Sequence, residues 1–135
     1  MILTDAGPLI AILDRNDPDH ALCVEALSEV TPPLVTTWPA FTEAMYLLGA
    51  STGIAGQRAL WSLVDEGALQ LLELTPESVS ASAAAMEKYA DRPMDLADAT
   101  LVAASSQVGD PRIFTIDSDF RFYRRDGGKP FILVP

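Results

Sequence analysis

Short apolar runs alternate with segments of helical periodicity along this 135-residue chain. The apolar runs predict buried strands at 1–5, 32–37, 68–74, 112–117 and 129–135. Apolar residues at three- and four-residue spacing predict helices at 8–13, 17–30, 38–51, 53–67, 75–90 and 93–107. Strands that alternate with helices through short connections favour a parallel sheet with helices on both faces. We therefore expect an α/β fold of three layers, α/β/α, around a mostly parallel sheet of roughly five strands.

Length, charge and cysteine content narrow the class of protein. The length predicts a single domain over residues 1–135. The net charge of −10 disfavours broad electrostatic binding of nucleic acid, which needs a basic face, although it suits acids gathered around a cation. Cys23 is the only cysteine, which excludes an intrachain disulfide and a cysteine metal cluster. Because the N-terminus lacks a basic signal-peptide segment and no apolar run suffices for a membrane span, we expect a cytoplasmic protein.

Several carboxylates fall at one edge of the predicted sheet. Asp5 ends the first strand, and Asp117 follows the apolar residues RIFT. Glu43 lies one turn into a helix that follows a strand, and Asp95 and Asp98 open a helix whose start right-handed topology places at the same edge. Ligands of open α/β sheets bind outside the carboxyl ends of the strands. This edge is therefore the predicted site.

Each of these acids also has a structural interpretation. Asp95 is a favoured N-cap, and Asp98, three residues later, suits a capping box and the helix dipole. Glu43 can be a helix surface charge, while Asp5 and Asp117 can shape turns. These interpretations explain each acid separately but do not explain their common placement.

Carboxylates gathered at one edge predict a particular chemistry. Like charges within a few ångströms repel each other and need a cation to stay ionised together. Oxygen-only ligands suit Mg²⁺ or Mn²⁺, and the sequence offers no histidine or cysteine cluster for zinc. Hydrolysis of phosphodiester bonds is the reaction that such a site favours.

Four sequence motifs, taken in chain order, resemble those of a known family. They are TDAGPLIAIL with Asp5, FTEAMYLL with Glu43, DLADATLVAA with Asp98 and FTIDSDF with Asp117. They are similar to those of the PIN-domain family, and within it to the VapC-type toxin ribonucleases of bacterial toxin–antitoxin pairs. The resemblance spans nearly the whole chain. It implies a PIN-like fold and an Mg²⁺- or Mn²⁺-dependent endoribonuclease in which these four acids are catalytic and Asp5, Asp98 and Asp117 are the main metal ligands.

The resemblance also implies auxiliary residues and partners. Glu43, Asp95 and Asp119 are the auxiliary acids. The implied partners are an RNA substrate, a cognate antitoxin and a second copy of the chain in a homodimer. We expect RNA contacts from the basic residues Arg121, Arg124, Arg125 and Lys129. One departure is Ala6, since the family often has Ser or Thr directly after the first acid.

Two other functions remain open from the sequence. Ala6 favours a catalytically impaired PIN-like binding module. Acids at a sheet edge also occur in phosphoacceptor signalling domains, although no acid pair ends the first strand and no acceptor Asp follows the third.

We expect His20 at the surface or in a helix cap rather than as a general base. The larger aromatic residues are predicted mainly in the core, with some available to a dimer or antitoxin surface: Trp38, Phe41, Tyr46 and Trp61.

Overall fold

Five strands form one sheet in the computed structural model, which describes residues 1–135. The strands are β1 (Ile2–Thr4), β2 (Leu34–Thr37), β3 (Leu69–Leu72), β4 (Arg112–Phe114) and β5 (Ile132–Val134). Their order is β3-β2-β1-β4-β5, and every neighbouring pair is parallel. The predicted sheet is therefore confirmed and is parallel throughout. β1 lies at its centre, so the carboxyl ends of β1 and β4 are adjacent.

Six α-helices connect these strands. They are α1 (Ala6–Leu13), α2 (His20–Leu27), α3 (Trp38–Thr52), α4 (Ile54–Asp65), α5 (Pro76–Lys88) and α6 (Leu96–Ala104). Short 3-10 turns cover Ser105–Gln107, Ser118–Arg121 and Asp126–Gly128. The connection from β4 to β5 contains only 3-10 turns, yet the two strands are parallel. None of the six helices combines the length and apolarity that crossing a bilayer requires.

Two hydrophobic clusters divide the fold into three layers. Alternate strand residues point to opposite faces of a sheet, and Ile2 and Leu3 accordingly belong to different clusters. Ile2, with Leu34 of β2, packs among residues of α1 to α4. Leu3, with Val35, packs among residues of α5 and α6. Because each face of the sheet is covered by its own helices, the strands are mainly apolar on both faces, which is the α/β/α arrangement.

Several helix ends differ from the sequence prediction by one to three residues. Asp17 does not cap a helix, because its side chain accepts a hydrogen bond from the Asp19 amide at 2.8 Å and α2 begins only at His20. The helix predicted over 38–51 ends one residue later, at Thr52. Gly53 stops it with φ at 70°, a conformation that glycine adopts without the steric cost of a side chain.

Candidate active site

Three aspartates from distant parts of the chain meet at the carboxyl edge of the sheet. Asp5 follows β1, Asp117 lies beyond the end of β4, and Asp98 is in the first turn of α6. One carboxylate oxygen from each lies within 4.8 Å of those of the other two. Asp5 and Asp98 are each only 7% exposed, and Asp117 is partly buried. The sequence-predicted main ligands therefore form one compact group, which we call the acidic triad.

Thr115 fixes the position of Asp5 relative to Asp117. Its hydroxyl donates to Asp5 Oδ2 at 2.9 Å and accepts from the Asp117 amide at 3.0 Å. The other carboxylate oxygen of Asp5 accepts from the Ala6 amide at 2.7 Å, as an N-cap of α1. Asp5 thus receives its side-chain hydroxyl contact from Thr115, although Ala6 has no hydroxyl to offer.

Asp95 and Asp98 have different positions at the start of α6. Asp95 is the N-cap, and its Oδ1 accepts from the Asp98 amide at 2.8 Å. Asp98 is therefore at N3, where its side chain points back towards the helix start. Its carboxylate lies in the acidic triad, whereas Asp95 is exposed outside it. The cap fixes where the helix begins and so where Asp98 is held.

The acidic triad is electrostatically strained in the absence of a cation. Burial, followed by the charges of Asp95, Asp5 and Asp117, raises the pKa of Asp98 to about 8. Burial also raises the pKa of Asp5, against hydrogen bonds from Thr115 and Ala6 that lower it. Closely spaced, desolvated carboxylates do not all ionise at neutral pH unless a positive charge joins them. Three oxygen donors of this kind could hold Mg²⁺ or Mn²⁺.

Glu43 lies beside the acidic triad but outside it. It extends from α3 and is partly buried, and burial, then the charge of Asp95, raises its pKa. Glu43 and Asp95 line an open groove of about 740 Å³ together with aromatic and apolar side chains, among them Trp38, Tyr46 and Leu96. Glu43 is thus placed to meet a molecule that enters this groove.

The prediction that the larger aromatic residues are mainly core is wrong for three of the four. Phe41 is buried at 2% exposure, but Trp38, Tyr46 and Trp61 are 49%, 75% and 46% exposed. Phe41 contacts Trp38 and Trp61 at ring-centroid distances of 5.8 and 5.0 Å. The inner ring of this cluster is therefore core, while its outer rings remain on the surface of α3 and α4.

Asp119 contacts Asp117 through the backbone rather than joining the acidic triad. Its amide donates to Asp117 Oδ1 at 2.9 Å. Its carboxylate pairs with Arg92 at 3.4 Å, a basic residue that the sequence motifs do not indicate. Arg92 lies in the loop between α5 and α6, so its proximity to Asp119 depends on how that loop packs.

The four predicted RNA-contacting residues do not form one patch. Arg121 lines a small cavity with Thr115 and Asp117. Arg124 Nη1 donates to three backbone carbonyls, at 2.8 to 3.2 Å, and Arg125 Nε donates to the carbonyl of Pro130 at 2.9 Å. Arg124 and Arg125 line a separate cavity of about 430 Å³ that includes residues of α5 and the end of α6.

Lys129 and His20 form no hydrogen bond or ion pair with the acidic triad. Lys129 is exposed beside the third 3-10 turn. His20 begins α2, and its Nδ1 lies 2.6 Å from the carbonyl oxygen of Ala11. This bond ties α2 to α1, and Asp19 rather than His20 is at the N-cap position of α2.

Comparison with known proteins finds chains that are similar to this one over nearly its whole length. The chain is similar to ribonuclease VapC26 of Mycobacterium tuberculosis, with 27% identity over 135 residues that cover 99% of this chain and 100% of the relative. Among solved structures, it is similar to Mycobacterium tuberculosis VapC20, a sarcin-ricin loop cleaving toxin. That match has a TM-score of 0.80 and 17% identity and covers 88% of this chain and 92% of VapC20.

A second solved structure and a family model extend the comparison. A toxin–antitoxin complex from Klebsiella pneumoniae matches with a TM-score of 0.68 and 18% identity, covering 100% of this chain and 97% of that chain. At these identities the structural matches establish the fold alone. The PIN domain model matches residues 2–126, nearly the entire chain. The sequence resemblance is thereby confirmed, and this chain belongs to the PIN domain family.

Proposed function

We propose that this chain is a divalent-metal-dependent endoribonuclease and the toxin of a type II toxin–antitoxin pair. The observation that carries the proposal is the acidic triad, in which Asp5, Asp98 and Asp117 offer oxygens within 4.8 Å of one another. The similarity to ribonuclease VapC26 supports the substrate class, and the similarity to a toxin–antitoxin complex supports the biological role.

The donor set of the acidic triad fits Mg²⁺ or Mn²⁺. Asp5, Asp98 and Asp117 would hold the ion, with Glu43, Asp95 and Asp119 as auxiliary acids. A bound ion of this kind supplies an activated water and stabilises charge on the phosphoryl group. The protein contributes the placement of the ligands: Thr115 orients Asp5, and the amide of Asp119 orients the Asp117 carboxylate.

The alternative of a catalytically impaired binding module rests on Ala6. In this fold the Thr115 hydroxyl donates to Asp5. The Asp5 carboxylate therefore has side-chain support even though residue 6 is an alanine. A phosphoacceptor signalling domain is disfavoured because the chain belongs to a different family. The endoribonuclease is therefore the function that we propose.

The groove beside Glu43 is the site that we propose for the antitoxin. One part is apolar, with the exposed side chains of Trp38, Tyr46 and Leu96, and another is acidic, with Glu43 and Asp95. A segment that carries both apolar and basic side chains would complement it. We expect Tyr46→Ala to weaken the toxin–antitoxin complex in a pull-down without changing RNA cleavage by the free chain. The proposed homodimer is checked by light scattering of the free chain.

Cleavage of RNA by the purified chain tests the proposed activity. We expect cleavage with Mg²⁺ or Mn²⁺, none with EDTA, and none in Asp5→Ala or Asp98→Asn. Asp65→Asn, which alters an exposed acid at the end of α4, is the matched control and should cleave like the parent. Intact RNA with either ion, or full cleavage by Asp98→Asn, would contradict the proposal. Labelling by acetyl phosphate would instead favour the signalling domain.

A further inference from the structure

Arg92 forms an unusual surface arrangement next to the acidic triad. Its guanidinium carbon lies 3.7 Å from the centroid of the Phe122 ring, and its Nη1 lies 3.4 Å from Asp119 Oδ1. Phe122 is 50% exposed, and the side chains of Arg92 and Asp119 are 41% and 37% exposed. An arginine is therefore held over an aromatic ring while it still faces solvent.

A short series of contacts joins this arrangement to the acidic triad. Asp119, the partner of Arg92, donates its amide to Asp117 Oδ1 at 2.9 Å, and Asp117 belongs to the triad. Arg92 is thus linked to Asp117, a predicted metal ligand, through one intervening residue, Asp119. Arg124 and Arg125, by contrast, donate to backbone carbonyls and line a different cavity. Of these three arginines, Arg92 is the one whose position places positive charge beside the acids; Arg121, which lines a small cavity with Asp117, is a second cation near them.

The pairing of Arg92 with Asp119 is loose. Charge-assisted N–H···O hydrogen bonds are usually about 2.7–2.9 Å long, and the 3.4 Å contact exceeds that range. The other ion pair, between Arg112 and Asp110, is 2.6 Å long and has further bonds from Arg112 Nε at 3.0 and 3.1 Å. An exposed pair of the looser kind is weak and screened by salt, so an incoming anion can compete for the guanidinium.

We propose that Arg92 binds a backbone phosphate of the RNA next to the bond that is cleaved, with Phe122 as the platform that orients it. The inference rests on the proposed function. A chain with net charge −10 repels RNA at long range, so the cleavage site needs a local cation. A guanidinium stacked by its face keeps its N–H groups free along its edge, where they can bind phosphate oxygens.

The salt dependence of RNA binding tests this assignment. Binding of a labelled single-stranded RNA is measured by anisotropy in EDTA, in the Asp98→Asn background so that the RNA stays intact. Arg92→Gln should raise Kd about tenfold at low salt and make the slope of log Kd against log salt shallower by about 0.7. Arg92→Lys should restore the slope, because it keeps the charge, but only part of the affinity.

Arg112→Gln is the matched control, because it also removes one cation paired with an aspartate, at the amino end of β4. It should leave the slope unchanged. In otherwise intact chains, Arg92→Gln should raise KM for RNA with little change in kcat. The inference is overturned if Arg92→Gln and Arg112→Gln give equal slopes while the parent cleaves RNA, whatever their melting temperatures. If the parent neither binds nor cleaves RNA, the proposed function fails, and this inference fails with it.

Discussion

The hydroxyl of Thr115 donates to Asp5 Oδ2 at 2.9 Å, joining two residues that are 110 positions apart in the sequence. Both are buried, and the same hydroxyl oxygen accepts from the Asp117 amide at 3.0 Å. One side chain on the loop after β4 therefore orients two members of the acidic triad. Residues that hydrogen-bond to metal-binding side chains, as Thr115 does here, fix the geometry of those side chains and contribute to metal affinity.

Thr115→Val is expected to weaken metal binding more than it weakens the fold. Valine keeps the shape of threonine but removes both the bond to Asp5 and the bond from Asp117. We expect Mn²⁺ affinity measured by calorimetry to fall about 10–100-fold. Thr115→Ser retains the hydroxyl and should bind Mn²⁺ nearly as tightly as the parent. Equal affinity in Thr115→Val would show that Asp5 is positioned without this contact.

Substitution of Asp95 and of Asp98 should have different effects. Asp95→Ala removes the N-cap of α6 and should lower the free energy of unfolding by about 1 kcal/mol, while cleavage by folded protein persists. Asp95→Asn keeps a good capping group and should be nearly as stable as the parent. Asp98→Asn should abolish Mn²⁺ binding and cleavage while the protein remains folded. Chemical denaturation and calorimetry separate the two effects, and loss of Mn²⁺ binding in Asp95→Asn would make Asp95 a ligand.

The metal-free protein should lose stability as the pH rises. Burial and neighbouring charges raise the pKa of Asp98 from 3.8 to about 8, so between these values the folded state binds more protons than the unfolded state. The stability that this proton contributes is complete below the lower value and is lost as the pH rises through the higher one. We expect the melting temperature in EDTA to fall between about pH 5 and pH 9.

Asp98→Asn provides the control for this pH effect, because its side chain does not titrate. Its melting temperature in EDTA should show a weaker decline and should exceed that of the parent at the alkaline end. Mn²⁺ should stabilise the parent increasingly as the pH rises, since only the ionised carboxylates bind it. A parent protein that becomes steadily more stable up to pH 9 in EDTA would contradict the elevated pKa of Asp98.

The sheet and the placement of the acids were predictable because both depend on local sequence order. Short apolar runs indicated the strands, and the residues that follow parallel strands must meet at one edge. The sequence therefore predicts that Asp5, Asp98 and Asp117 lie together, as they do in the structure. The predicted helix ends were less accurate where several residues suited to capping lie close together, as Asp17 and Asp19 do before α2.

The contacts around the acidic triad were not predictable from the sequence. The pairing of Arg92 with Asp119 depends on the packing of two loops, and no spacing rule connects residues 27 positions apart in irregular segments. The exposure of Trp38, Tyr46 and Trp61 was not predictable for a related reason. Apolar periodicity shows that a helix face avoids water, but not whether the same chain covers it, and Tyr46 is left 75% exposed.

Tyr123→Phe should stabilise the protein. The Tyr123 ring is 0% exposed and packs edge-on against Phe120 and Tyr89 at centroid distances of 5.2 and 5.1 Å. Its hydroxyl oxygen is buried and has no hydrogen-bond partner. Phenylalanine keeps the ring contacts and removes an unpaired polar group, so we expect the free energy of unfolding to rise by about 1 kcal/mol. The melting temperature should rise by about 3–5 °C.

Tyr89→Phe is the matched control for Tyr123→Phe, and its effect should have the opposite sign. The Tyr89 hydroxyl accepts a hydrogen bond from the Arg124 amide at 3.0 Å, so its removal leaves that donor without its partner. We expect this variant to lose about 1 kcal/mol of unfolding free energy in chemical denaturation. Metal-free protein is used for both variants, so that any contact of Tyr123 with a loaded site does not contribute. Destabilisation by Tyr123→Phe comparable to that by Tyr89→Phe would mean that the Tyr123 hydroxyl has a partner in solution.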